Sequence, residues 1–184
     1  MPDMMPKEAN GIPARVTAVH KERYELVCEA GTVSARLKTK EYFFGCESFP
    51  TTGDFVLINH NPSGDSLIIA TLPRKTLFSR RDPTPGQGEQ AVAANFDHVF
   101  IMQSLNQDFN LRRLERYLTL AWQSGASPIV ILTKADLIDD VGQYVSDVEK
   151  IALGVPVYAV SSKTGTGLDE LSAYMQPGKT IVFL

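Results

Sequence analysis

Ile129-Val130-Ile131-Leu132-Thr133-Lys134-Ala135-Asp136-Leu137 decides how this chain is read: an apolar run of strand length ends in the tetrapeptide Thr-Lys-Ala-Asp. About one βα unit later, Val157-Tyr158-Ala159-Val160 ends in Ser161-Ser162-Lys163-Thr164-Gly165. An Asp carboxylate at a strand's carboxyl end can accept two charge-assisted hydrogen bonds from the adjacent N–H donors of guanine, where adenine presents an acceptor and is repelled. A lysine stem can lie flat on the base. Ser162, in the turn after the next strand, is placed to offer its backbone N–H to the guanine carbonyl that adenine lacks. The candidate guanine-nucleotide site is therefore Thr133, Lys134, Ala135 and Asp136 with Ser161, Ser162 and Lys163. For Lys163 a solvated turn lysine is the competing reading.

No phosphate-binding G-x-x-x-x-G-K-[ST] loop precedes Thr133. Gly178-Lys179-Thr180 resembles its end, but position 173 is Ala where the first glycine belongs, Pro177 interrupts the cradle, and a strand follows where a helix must start. Asp139-Asp140-Val141-Gly142 matches a magnesium-associated D-x-x-G pattern, yet it follows the guanine motif directly and reads better as acids at a helix N-terminus. No catalytic residue is assigned in this chain. His20, His60 and His98 lie apart without ligand spacing, so no metal site is assigned either.

The two halves have different periods. Tyr24, Leu26 and Cys28, then Val33, Ala35 and Leu37, alternate with polar residues; with Ile12–Val19, Phe55–Asn59 and Ser66–Leu72 they predict five short strands and an OB-type barrel. An SH3-like barrel is the runner-up. Residues 1–10 read as a mobile tail, 11–78 as the barrel and 79–92 as a linker, because Arg80–Gln90 holds two prolines, two glycines and no apolar anchor. From residue 93 to 184 the pattern is βα alternation. Phe96–Met102, Pro128–Leu132 and Val155–Val160 are strands, and Leu111, Leu114, Leu118 and Ala121 line one helix. Val141, Tyr144, Val145, Val148 and Ile151 mark a second helix, and Thr166 with Asp169 predicts a capping box for a third. Thr180–Leu184 starts a strand at which the sequence stops, which predicts a truncated α/β domain.

At 184 residues and net charge −3 the chain is not broadly basic, so any RNA contact has to be local. Cys28 and Cys46 have no paired spacing and read as reduced thiols; no signal peptide or stretch of membrane-spanning length is present, which predicts a cytoplasmic protein without a membrane partner. Arg36, Lys38, Lys40, Arg74, Lys75, Arg80 and Arg81 are the weak candidates for a phosphate-tracking rim, with an ordinary solvated barrel edge as the alternative. Tyr24, Tyr42, Phe43 and Phe44 are candidates for base stacking or for the core, and Arg112, Arg113 and Arg116 read as helix surface.

With the guanine motifs, Ala93-Ala94-Asn95-Phe96-Asp97, Asn110-Leu111-Arg112-Arg113-Leu114-Glu115-Arg116-Tyr117-Leu118 and Gly167-Leu168-Asp169-Glu170-Leu171 give the whole chain a resemblance to the ribosome small subunit-dependent GTPase A family, a group of circularly permuted GTPases. The resemblance implies an N-terminal OB barrel, a basic linker and a permuted P-loop GTPase domain whose phosphate loop follows the strand at Leu184. It implies GTP/GDP binding, GTP hydrolysis in late maturation of the small ribosomal subunit, and rRNA as partner. Mg2+ and a structural Zn2+ are implied only for the complete protein. A monomer is expected, with edge-strand self-association of the fragment as an option. The fragment alone is expected to be inactive. The resemblance further implies that Ile181–Leu184 pairs in parallel with Phe96–Met102, giving the spatial order 180s, 90s, 120s, 150s. Thr133 stands where Asn is commoner in the family, which keeps an oxygen and loses an amide donor. The competing functional class is a non-enzymatic RNA-binding module whose α/β half is degenerate.

Overall fold

The computed structural model describes residues 11–21, 23–37, 49–81 and 89–184. The chain divides into two compact units, Met1–Asn95 and Phe96–Leu184. In the first, β1 (Ile12–His20), β2 (Arg23–Cys28), β3 (Gly31–Leu37), β4 (Phe55–Asn59) and β5 (Ser66–Thr71) close into a barrel in the order β1-β2-β3-β5-β4. Closure depends on the parallel pairing of β3 with β5, Ala35 opposite Ser66 through Leu37 opposite Ile68. Antiparallel pairing of β1 with β4 completes the ring. This is the OB arrangement, not the SH3-like one.

Alternation sends Val16, Tyr24, Leu26, Ala35, Val56, Ile58 and Ile68 into the barrel core. Tyr24 is thus a core residue, and burial pushes its phenol pKa up. Tyr42, Phe43, Phe44 and Cys46 lie outside the described residues. A bulge in β1 between Val16 and Ala18 receives the segment at 51–54: the Val16 N–H donates to the Asp54 carbonyl and the Gly53 N–H to the Val16 carbonyl, both at 2.9 Å. Gly53 has φ +93° and abuts the Ala94 carbonyl so closely that a side chain has no room.

Residues 79–81 and 89–92 depart from the linker expectation. They belong to β6 (Leu77–Arg81) and β7 (Glu89–Ala94), which pair antiparallel. The Thr51 hydroxyl donates to the Ala91 and Val92 carbonyls at 3.3 and 3.1 Å, and the Ala94 N–H donates to the Thr52 carbonyl at 2.9 Å. The anchor is backbone, and the half-buried positions of β7 are Ala91 and Ala93. Alanines are too small to register as an apolar alternation. The proline and glycine stretch at 82–88 lies outside the described residues.

In the second unit, β8 (His98–Ser104), α1 (Leu111–Gln123), β9 (Ser127–Thr133), α2 (Val141–Ile151), β10 (Val157–Ala159), α3 (Leu168–Leu171) and β11 (Ile181–Phe183) follow in turn. The sheet order is β10-β9-β8-β11 and every pairing is parallel. The last strand therefore lies beside β8 and not beside β10, which is nearer in sequence. Asn110 caps α1 by accepting from the Arg113 N–H at 3.1 Å, and Leu114, Leu118 and Ala121 form its buried face. Asp140 caps α2 through the Gln143 N–H, so the Asp-Asp-Val-Gly stretch is a helix start. The third helix is a single turn. Its N-cap is Gly167 at φ +73°, packed against the Ala159 carbonyl, and the Thr166 hydroxyl pairs with that of Thr164. The expected Thr166–Asp169 box is absent because the tight approach at position 167 takes over the capping position.

The Gly178-Lys179-Thr180 tripeptide is also structural. Asp97 accepts from the Lys179 ammonium at 3.1 Å and from the Thr180 N–H at 2.9 Å, fastening the entry to β11. The Thr180 N–H holds the Asp97 carboxyl below the usual carboxylate range, with Lys179 and His98 adding to it.

Two outcomes follow from these contacts. Asp54 is wholly buried and accepts from Arg74 at 2.6 and 2.8 Å, so Asp54→Ala should destabilise the barrel by about 3–5 kcal/mol in urea unfolding, the cost of stranding a buried partner. Because the folded pKa of Asp97 is depressed from 3.8, its contribution is complete above that value and fades as pH falls below it. Amide exchange at Ile181–Phe183 should accelerate below that value, relative to the rest of the sheet, and Asp97→Asn should abolish this pH dependence.

Candidate functional site

Parallel pairing brings the carboxyl ends of β8, β9 and β10 to one edge of the sheet. Thr133 closes β9, Lys134 turns the chain at φ +61°, and Ala135–Leu137 makes one 3-10 turn carrying Asp136. Ala135 donates its N–H to the Val160 carbonyl at 3.1 Å, so the loop after β9 is hydrogen-bonded to the loop after β10. There Ser161, fully buried, donates its hydroxyl to Asp136 Oδ1 at 2.6 Å and accepts from the Thr164 N–H at 3.2 Å. The Ser161 N–H and carbonyl are themselves bonded, to the Thr166 carbonyl at 3.0 Å and from the Gly165 N–H at 2.9 Å. The serine is thus a fixed post.

Asp136 stays exposed, as do Lys134, Ser162 and Lys163. Its carboxyl is held below the usual range, first by the Ser161 hydroxyl and further by its own N–H, Lys163 and Lys134. The arrangement is an ionised carboxylate with one oxygen tethered, its plane set, and two cations nearby: an acceptor suited to a pair of neighbouring N–H donors. All seven sequence candidates for the base site gather on these two adjoining loops. Thr133 sends its hydroxyl to the Gln103 carbonyl at 3.4 Å.

The rim candidates do not gather in the same way. Arg74 is spent on the buried Asp54, its side chain only 15% exposed, and is a structural residue rather than an open phosphate contact. Arg36 is exposed on β3 but paired with Asp65 at 2.6 Å, and Arg80 reaches across to the Gln90 side chain of β7 at 3.3 Å. Lys75 is exposed, Arg81 ends β6, and Lys38 and Lys40 lie outside the described residues. Sequence reading missed a polar cluster beside the base loops: Gln103, 1% exposed, with Asp108, Asn110 and Arg113. Among the described residues no three His, Cys, Asp or Glu side chains gather as a metal would require.

A family model described as RsgA GTPase matches residues 71–184. The chain belongs to the RsgA GTPase family. Among RsgA relatives, a small ribosomal subunit biogenesis GTPase RsgA 1 of Listeria monocytogenes is 46% identical over 171 residues, 92% of this chain and 48% of the relative. One from Methanosarcina acetivorans is 38% identical, over 94% of this chain and 47% of its own length. The chain spans about half the length of these curated relatives. Among solved structures, YjeQ from Thermotoga maritima superposes with TM-score 0.74 at 24% identity, over 94% of this chain and 59% of that one. YloQ, described as a circularly permuted GTPase, gives 0.68 at 21% identity, over 97% and 61%. These two share the fold: an OB barrel followed by a circularly permuted GTPase sheet.

Because the Ser161 hydroxyl is the leading cause of the low Asp136 pKa, Ser161→Ala should raise the titration midpoint of Asp136 toward 3.8. Carboxyl chemical shifts followed against pH read this directly, and an unmoved midpoint would assign the depression to the neighbouring lysines.

Proposed function

We propose that this chain comprises the barrel and guanine-reading half of a GTPase that acts in maturation of the small ribosomal subunit. The observation that carries the proposal is the tethered Asp136 carboxylate, fixed by Ser161 at 2.6 Å and left open on its solvent side. In this reading Asp136 accepts from the two N–H donors of guanine, the stem of Lys134 lies on the base, and the Ser162 N–H meets the guanine carbonyl. Lys163 adds positive potential beside the carboxylate. GTP and GDP are distinguished from adenine nucleotides by donor and acceptor placement, a discrimination that leaves a buried mismatch unpaired.

Phosphate binding and hydrolysis require groups beyond these. The Gly178-Lys179-Thr180 stretch is occupied in fastening β11, so the phosphate loop is assigned to sequence following that strand, as the length of the relatives allows. Mg2+ and Zn2+ are assigned to the complete protein, since no cluster of three His, Cys, Asp or Glu side chains forms among the described residues. Ribosome engagement is assigned to the barrel unit, with the exposed Lys75 and Arg80 among its described cations; the names of the relatives support a ribosomal subunit as partner. The degenerate-module alternative is disfavoured by the match to the RsgA GTPase family over residues 71–184, a span that includes both base loops.

Asp136→Asn, tested in the gene's full-length product, should weaken GDP and GTP binding on the order of a hundredfold, two charge-assisted bonds' worth. Xanthine nucleotides, which carry a carbonyl in place of the amino donor, should recover part of the loss. Unchanged guanine affinity would overturn the assignment.

A further inference from the structure

Ser104, the last residue of β8, ends a row of side chains that starts at His98 and runs through Phe100 and Met102 on one face of the sheet. Its hydroxyl oxygen is shut off from solvent and has no hydrogen-bond partner among the described residues. Leaving a buried hydroxyl unpaired is destabilising, and native folds seldom do so. Thr133 stands opposite it in β9, with its own hydroxyl turned to the Gln103 carbonyl.

The other flank of Ser104 lies along the line of β11. The Leu184 N–H donates to the Phe100 carbonyl at 3.0 Å and the Met102 N–H donates to the Leu184 carbonyl at 2.8 Å. The next rung of this parallel ladder takes the Met102 carbonyl and the Ser104 N–H. With Phe183 opposite Phe100, the same register brings the third residue past Leu184 opposite Ser104. In the full-length product that residue belongs to the stretch to which the phosphate loop is assigned.

Handedness places that stretch on the Ser104 face. α1, which joins β8 to β9, covers the opposite face, since its cap Asn110 and its Arg113 both reach the Gln103 side chain. A right-handed connection leaving β11 away from β8 runs against the direction of that crossover, so it passes over the face of Phe100 and Ser104. The connection from β10 to β11 already does so, with Leu171 and Tyr174 packed on Phe100. Met102 and Phe183 on this face remain 39% and 62% exposed, which leaves room for more chain at its carboxyl end.

A phosphate cradle turns successive N–H groups inward to the anion, which leaves its carbonyls pointing outward. Carbonyls that lie against the end of a sheet need donors, and a serine hydroxyl is one. We infer that Ser104 is a positioning residue for the phosphates of the nucleotide, its hydroxyl donating to a backbone carbonyl of the loop that cradles them. The inference rests on the reading given above, in which Asp136 binds guanine and the phosphate loop follows β11.

The test binds GDP to the full-length gene product, read by equilibrium titration and by phosphorus and proton NMR of the bound nucleotide. Ser104→Val and Ser104→Thr share one shape and differ by the hydroxyl. Ser104→Val should weaken GDP about two- to tenfold, one hydrogen bond's worth, and shift the β-phosphate resonance while the guanine imino proton stays in place. Ser104→Thr should return both affinity and resonance toward wild type. Ser104→Ala, which adds no bulk, should behave as Ser104→Val does. Equal affinities for the Val and Thr variants, wild-type binding by Ser104→Ala, an unmoved β-phosphate resonance or a displaced imino proton would each overturn the inference. Asp136→Asn run alongside separates the two readings: wild-type binding by that variant removes the base site itself, whereas a weakened Asp136→Asn beside a silent Ser104→Ala removes only the role of Ser104.

Discussion

Parallel pairing between strands far apart in sequence completes both units, β3 with β5 closing the barrel and β8 with β11 adding the last strand of the open sheet. Such pairings cost loop-closure entropy before any contact repays it. In the sheet the cost is offset at one residue. Asp97 accepts from Lys179 and Thr180, more than eighty residues away, while the Thr180 carbonyl accepts from the Asp97 and His98 N–H groups at 2.8 and 3.3 Å. An aromatic layer reinforces the join, with Phe183 edge-on to Phe100 at 5.5 Å and Tyr174 edge-on to His98 at 5.2 Å. β11 completes the far edge of the sheet, while the direct parallel pairing of β9 with β10 brings the loops after those two strands out side by side. The meeting of Ser161 with Asp136 is a consequence of that pairing.

What the sequence revealed was whatever repeats locally. Alternation located the barrel strands because most inward side chains, Tyr24, Leu26, Val56, Ile58 and Ile68 among them, are large enough to mark the face. The base loops were legible because their residues are contiguous and their chemistry follows from type. The order of the last strand was reached only through family resemblance, since Ile181–Phe183 carries no local signal for which neighbour it takes. β7 escaped because its half-buried side chains are alanines and its anchors are Thr51 and Thr52 of another segment. The third helix was overestimated because Thr166 and Asp169 have the spacing of a cap, while the close approach of position 167 to Ala159 is invisible in one dimension.

Arginines expose the same limit from the energetic side. Arg74 and Arg113 look alike in sequence, both in basic surroundings and both expected at a surface. In the fold each is claimed by an aspartate, Arg74 by the buried Asp54 and Arg113 by the exposed Asp108. The first pair exists because a carboxylate buried just before β4 has to be matched; the second fixes a loop. Neither partner is adjacent in sequence, so charge counts alone assign both to solvent or to nucleic acid.

The substitution at position 133 shows how little of the base loop depends on that side chain. The Thr133 hydroxyl makes one long bond, 3.4 Å to the Gln103 carbonyl, near the limit at which a hydrogen bond contributes. The loop is held instead by backbone: the Thr133 carbonyl accepts from Leu105 at 2.8 Å, the Ala135 N–H donates to Val160 at 3.1 Å, and the Leu137 N–H donates to Lys134 at 3.0 Å. These bonds come from the strand on either side and from the 3-10 turn itself, and they impose the left-handed turn at Lys134 whatever stands before it. A residue whose amide donor is lost can therefore be tolerated here, because the sheet has already placed Asp136 and the neighbouring loop has already supplied Ser161 to orient it.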